Sequence, residues 1–161
     1  MINLPHKAIY VVLLAAVIIG VAVAMAVLYR NIQLDKGLSA LKSQNYAEAM
    51  KRLKPLAELG DSVSQYELGH MFAFGSGVAK DDAQAMYWFR RAAMEYSGQG
   101  DKAAEAAYYV GEENAERKNY TEAVRWYRVA AEGGSRQAAV ALSKAYEEGS
   151  LSLQRDPEQA R

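Results

Sequence analysis

The chain has 161 residues and a mass of 17.7 kDa, enough for one ordinary domain and a short extension. Of nineteen Lys/Arg only Lys7 precedes residue 30, while all nineteen Asp/Glu follow it, so the remainder carries a net charge of minus one and argues against a nucleic-acid binder that works by neutralising phosphates. The absence of Cys removes disulfides, thiolate metal sites and thiol nucleophiles, and His6 and His70 alone make neither a zinc site nor a His-based triad; no catalytic residue, metal or cofactor is expected.

The first element is AIYVVLLAAVIIGVAVAMAVLY, Ala8 to Tyr29, which carries no charge. At roughly 1.5 Å per residue it makes a helix of about 33 Å, long enough to span a bilayer. Lys7 and Arg30 flank it, and Tyr10 and Tyr29 stand where interfacial aromatics sit. The expected organisation is a tail at 1–7, a single transmembrane helix at 8–29 and a soluble domain at 30–161. A cleaved signal peptide is the competing reading, because Ala24-Met25-Ala26 offers a cleavage site. Against it, the apolar run exceeds a usual signal core and the preceding region has one firm positive charge. Arg30, Lys36 and Lys42 outnumber Lys7, which by charge count puts the soluble domain in the cytoplasm, although so short a tail leaves the side open. Ala15, Ala16, Gly20 and Ala24 form a small-residue face suited to another spanning helix, with plain lipid contact as the alternative.

Beyond the span the chain repeats. Asn45-Tyr46-Ala47-Glu48-Ala49 recurs as Asn119-Tyr120-Thr121-Glu122-Ala123, and the anchor alanines 49, 85, 123 and 160 are spaced by 36, 38 and 37 residues. From those alanines run AMKRLKPLA (49–57), AMYWFRRAA (85–93) and AVRWYRVAA (123–131), apolar at offsets 0, +4, +7 and +8, one face of an amphipathic helix. Each is the second helix of a pair. The preceding helices carry Gly69, Gly111 and Ser143 in matching places, and the aromatics Trp88, Phe89, Trp126 and Tyr127 fill gaps between units that cannot bury their faces alone. Ser43-Gln44-Asn45 and Lys118-Asn119 make tight turns in units one and three, whereas units two and four have longer loops, Gly75 to Lys80 and Gly149 to Arg155. Pro55 should kink the second helix of unit one near Leu53 and Lys54, or end it early. The fourth unit has a first helix at about Arg136 to Glu147, then only the start of a second, Asp156 to Arg161. Its face at Ala138, Ala141, Leu142 and Ala145 is either a polar-backed cap or a partner surface.

Tyr66-Glu67-Leu68-Gly69, Phe74-Gly75-Ser76-Gly77-Val78, Asp81 and Ala85 to Ala93 together resemble a nearly complete Sel-one-like repeat, a relative of the tetratricopeptide repeats, and Ala123 to Gly133 is similar to the second half of another. Units one and three lack the Gly-x-Gly-Val loop and look more like tetratricopeptide repeats. The resemblance covers about 35–161 and implies an all-α fold: a right-handed superhelix of antiparallel helix pairs, here about 3.5 units of a short α-solenoid behind the transmembrane helix. It further implies an adaptor without catalysis, acting in a bacterial inner membrane or envelope with a periplasmic domain, against the charge count.

Other constellations have plainer explanations. Glu112/Glu113 and Glu147/Glu148 point about 100° apart along a helix and read as solvated faces. Gly75-Ser76-Gly77 lacks the Lys-Ser/Thr ending of a phosphate loop and reads as a turn. Lys54, Arg90 and Arg128 share offset +5 and could line up as a basic stripe, but Glu58 and Glu132 lie four residues on, and Glu95 five, and favour pairing within each helix. His70 could face a groove with Glu67 and Phe74, and Phe74, Tyr87 and Tyr96 are aromatics without a core role. The expected function is a membrane-anchored adaptor binding a protein partner, an accessory, assembly or scaffolding subunit of a membrane complex, with Glu67, His70, Phe74, Tyr87, Tyr96, Ala138 and Leu142 as contact residues. Two alternatives are an envelope enzyme or regulator binding a glycan or peptide through His70, Glu67 and Glu112, and a scaffold that associates with itself as a homo-oligomer.

Overall fold

The computed structural model describes residues 6–94, 101–151 and Glu158. Within them lie seven α-helices and no strand: α1 His6–Lys42, α2 Tyr46–Glu58, α3 Ser62–Phe74, α4 Asp82–Met94, α5 Asp101–Glu116, α6 Tyr120–Glu132 and α7 Arg136–Glu148. Each helix packs on its neighbours in sequence, and α3 also meets α5, so the pairs α1/α2, α3/α4 and α5/α6 stack in a row. The all-α solenoid behind a long apolar helix is as expected. Glu95, Tyr96 and the proposed second helix of unit four, apart from Glu158, lie outside the described residues.

One difference concerns the start. The helix that carries the apolar segment does not stop at Tyr29 but continues without a break to Lys42, a length of 37 residues and about 55 Å. No Gly-Pro or turn cluster interrupts 30–42, and the helix changes character instead of ending. Its N-terminal part is exposed along its whole apolar length, while Gly37 and Ala40 are buried against α2. The C-terminal part of α1 is therefore the first helix of unit one, and the boundary drawn at residue 30 falls inside one continuous rod.

The apolar offsets read from the sequence are the buried ones. Ala49, Leu53, Leu56 and Ala57, then Ala85, Phe89, Ala92 and Ala93, then Ala123, Tyr127 and Ala130 are all buried, and only Ala131 is half-exposed. At +4 the second helix drops a large apolar or aromatic side chain onto a glycine of the first. A Cβ on Gly37 would lie 2.5 Å from Leu53 Cδ2, on Gly69 2.5 Å from Phe89 Cε1, and on Gly111 2.6 Å from Tyr127 Cδ1. These crossings set the spacing within each pair. Between pairs, Trp88 faces back into a cluster with Leu53, Leu68 and Met71, whereas Phe89 faces forward and stacks on Tyr109 at 4.8 Å.

The 74-residue period also governs the backbone. Gln44 and Lys118 end their helices at φ 57° and 61°; Gly60 and Gly134 turn at 96° and 93°; Gly75 and Gly149 close α3 and α7 at 69° and 67°. Asp61 and Ser135 then cap α3 and α7 by accepting from Ser64 N (2.8 Å) and Ala138 N (3.3 Å). Two consecutive units, not one, are the true repeat. Pro55 does not end α2 early, because the helix runs on to Glu58 with Pro55 and Lys51 on its exposed face. Gly77 packs directly over Tyr46, so the Gly75 to Lys80 loop is a structural turn, as expected.

Candidate partner-binding groove

The unit-two helix α3 places Tyr66, His70 and Phe74 along one face at four-residue spacing. His70 becomes the hub of an aromatic cluster: its ring stacks on Phe74 at 5.6 Å and 8°, and meets Tyr66 at 4.5 Å, Phe89 at 5.3 Å and Tyr109 at 5.3 Å. Burial, with Lys102 adding and Glu105 opposing, holds the imidazole below its ordinary pKa. It is therefore neutral near pH 7. Among the described residues its buried Nε2 has no hydrogen-bond partner. Phe74, by contrast, leaves 72% of its surface exposed.

A groove of about 470 Å³ opens beside this cluster between α3, α4 and α5. Phe74, Met86, Phe89 and Tyr109 supply its apolar floor, and Asp82, Glu112, Glu113 and Glu116 surround it against one cation, Arg117. Two of those carboxylates already have duties. Glu112 accepts the Tyr127 hydroxyl, and Glu113 holds Arg90 at 2.5 Å and Arg117 at 2.9 Å. Glu112 is thus a packing partner and not a free acid; burial and that hydrogen bond raise the Tyr127 pKa. The two carboxylates diverge along the helix as expected, but they are not the solvated face expected of them: both are engaged, and the Glu113 side chain is only 12% exposed.

On the flank, Glu67 sits near Lys102 and Glu105, and burial pushes its pKa up, partly opposed by Lys102. Burial would also raise Glu105, but hydrogen bonds from Tyr66 and Lys102 outweigh it and hold that carboxyl low. Lys102 further lies 4.6 Å from the Tyr66 ring centroid.

Of the sequence-chosen contact residues, the structure brings His70 and Phe74 together in the groove and sets Glu67 beside it. Tyr87 lies elsewhere, against Trp88 and under Arg91, whose guanidinium also donates to its hydroxyl at 3.2 Å. Ala138 is corrected: it is fully buried in the core, as is Ala145, and Leu142 and Ala141 are half-buried, so the face expected to be open is largely covered. The expected pairing of Arg128 with Glu132 is corrected as well, while Glu95, expected to pair with Arg90, lies outside the described residues. Arg90 and Arg128 reach forward to the next first helix, Arg90 to Glu113 and Arg128 to Tyr146 Oη at 2.6 Å, and so tie successive helices together. Ala15, Ala16, Gly20 and Ala24 are all exposed on α1, and a Cβ on Gly20 would meet nothing within 4 Å. Among the described residues no group of three or more His, Asp or Glu is arranged to hold a metal.

Sequence reasoning missed Gly37, Met86, Tyr109 and Glu116. Gly37 was findable, since it precedes Ala49 by the same twelve residues that separate Gly111 from Ala123. The others carry no periodic signal.

The chain matches the Sel1 repeat family over residues 62–97, 104–135 and 136–161. These limits follow the pairs α3/α4 and α5/α6 and the start of unit four. It is 34% identical over 85 residues, 52% of this chain and 13% of the relative, to the ERAD-associated E3 ubiquitin-protein ligase component HRD3B of Arabidopsis thaliana. It is 46% identical over 43 residues, 27% of this chain and 9% of the relative, to the secretory immunoglobulin A-binding protein EsiB of Escherichia coli. The chain therefore spans only a small part of these curated relatives. A crystal structure of a Sel1 repeat protein from Oxalobacter formigenes shares the fold, with a TM-score of 0.72 and 24% identity over 81% of this chain and 54% of that one.

Proposed function

Because the chain belongs to the Sel1 repeat family, whose repeats mediate protein–protein interaction, we propose that it is a membrane-anchored binding module that holds a partner segment in the groove beside His70. The observation that carries this is Phe74, a large aromatic left 72% exposed at the mouth of an apolar groove with an acidic rim. An exposed aromatic stacked on a half-buried ring is a preorganised anchor, because its conformational entropy is already lost before a partner arrives. The rim fits a segment in which an apolar residue is flanked by Lys or Arg. No reaction is assigned to the groove, since Glu112 is engaged by Tyr127 and Glu113 by two arginines.

The anchor rests on α1, whose apolar length and full exposure along the span suit a bilayer and match no core role in this fold. In this reading residues 8–29 lie in the membrane, 30–161 form the binding domain outside it, and tethering concentrates that domain near a membrane or envelope complex. The small-residue face of α1 is available to a neighbouring span.

Selection from a random peptide library on the detergent-solubilised full chain tests the groove. Enriched peptides should pair an apolar residue with Lys or Arg, and the enrichment should vanish with Phe74→Ala and fall with Glu116→Lys. Peptides retained equally by both variants, or acidic ones, would overturn the reading.

A further inference from the structure

The turn between α2 and α3 holds Leu59, which is 85% exposed, next to Asp61, whose side chain is 3% exposed and whose Oδ2 accepts from both Nε and Nη2 of Arg30. The equivalent turn 74 residues later has the same backbone conformation but Gly133 and Ser135 in those places. The bulk of Leu59 and the charge of Asp61 are therefore not demanded by the fold, and they occur only at the turn beside the apolar helix.

The register fixes where this turn sits. α1 and α2 run antiparallel with Gly37 opposite Leu53, and Arg52 Nη1 donates to Gln33 Oε1 at 2.7 Å. Six residues back along α1 and six forward along α2, Leu59 stands level with Asn31, immediately past the end of the apolar segment. The Arg30–Asp61 pair holds the same alignment from the other side. Arg91 of α4 extends the surface, because its Nη2 donates to Glu58 O at 3.4 Å and brings the end of α4, with Met94 74% exposed, toward Leu59. The charged groups around the turn, Arg30, Arg91, Glu58 and Asp61, balance one another.

We infer that this end of the solenoid, presenting Leu59 and Met94, rests in the headgroup layer of the bilayer that α1 crosses, so that the repeat domain is seated on the membrane and not suspended above it. The inference rests on the anchored reading of α1. An apolar side chain at headgroup depth gains from leaving water, and the balanced charges make the contact independent of anionic lipid. A single span only tethers a domain, whereas this second contact fixes its tilt.

The native chain has no Cys, so single-cysteine variants of the full chain take one environment-sensitive fluorophore each. Ile18→Cys reports the span, Leu59→Cys and Met94→Cys the seated end, and Ala79→Cys the far loop, in zwitterionic phosphatidylcholine vesicles with nitroxides placed either shallow or deep in the lipid. The expected result is loss of emission at Ile18 with deep nitroxide, loss at Leu59 and Met94 with shallow nitroxide, and no change at Ala79. Leu59 and Met94 behaving like Ala79 while Ile18 is quenched would overturn the seating and leave the anchor standing. An unquenched Ile18 would overturn the anchor and the seating together.

Discussion

Gly69→Ala separates two physical effects by their sign. In an exposed helix interior, replacing Gly by Ala stabilises by about 1 kcal/mol through backbone entropy alone. At Gly69 the new methyl would lie 2.5 and 2.6 Å from two carbons of the Phe89 ring, about 1 Å inside ordinary contact. Phe89 cannot swing away, since it is 3% exposed, stacked on Tyr109 and in contact with His70. The pair α3/α4 must spread instead, at an overpacking cost of about 1–3 kcal/mol. The net expectation is destabilisation by about 0–2 kcal/mol, against a gain of about 1 kcal/mol if nothing obstructed the methyl. Denaturant unfolding of the full chain in mild detergent, followed by Trp88 and Trp126 fluorescence, measures it. Gly20→Ala, where no atom lies within 4 Å, serves as the opposite control and should be neutral or stabilising. Phe89→Leu should make Gly69→Ala less costly in the double variant than in the native background. A Gly69→Ala protein more stable than the native one by the full helix-propensity gain of about 1 kcal/mol would refute the crossing-glycine argument.

Asp61→Ala removes both the α3 cap and the Arg30 pair and should cost about 1–2 kcal/mol, while Asp61→Asn keeps the cap and should cost less; unfolding midpoints compare them. His70 is half-buried and neutral, with its folded pKa below 6.5, so the unfolded chain takes up the proton first. Stability attributable to His70 is thus complete above pH 6.5 and declines as pH falls through the folded value; unfolding at pH 5 to 8 should show a dependence that is weaker in His70→Gln. Equal pH profiles would contradict the buried-neutral assignment. Lys118→Gly relieves a left-handed backbone at φ 61° and should raise stability by up to about 1 kcal/mol, seen as a higher unfolding midpoint.

The 36 to 38 residue spacing and the 0, +4, +7, +8 pattern were enough to place α2, α4 and α6 and their buried faces, because helical periodicity reports which side of a helix leaves water. Periodicity does not report what covers that side. The continuity of α1 through residue 30 was hidden because a loss of hydrophobicity looks the same whether a helix ends or becomes amphipathic. Spacing favours helix-internal partners for Arg90 and Arg128, whereas the inter-helix register supplies Glu113 and Tyr146. The helical pattern marks Ala138 as apolar without telling a cap face or a partner surface from the core, and the residue is buried. The groove drew His70 and Phe74 from the sequence, while Tyr109, Met86 and Glu116 joined them only through the stacking of α4 and α5.

A rod shared between the apolar segment and unit one has an angular phase. With no joint near residue 30, adding one residue there would turn the whole solenoid about 100° around the axis of α1 and lift it about 1.5 Å, breaking the alignment of Arg30 with Asp61 and carrying Leu59 off its level. Seven added residues, close to two full turns, would restore the azimuth but raise the domain by about 10 Å. Residues 29 to 33 therefore act as a ruler and a compass at once, and this stretch should tolerate a change of side chain far more readily than a change of length.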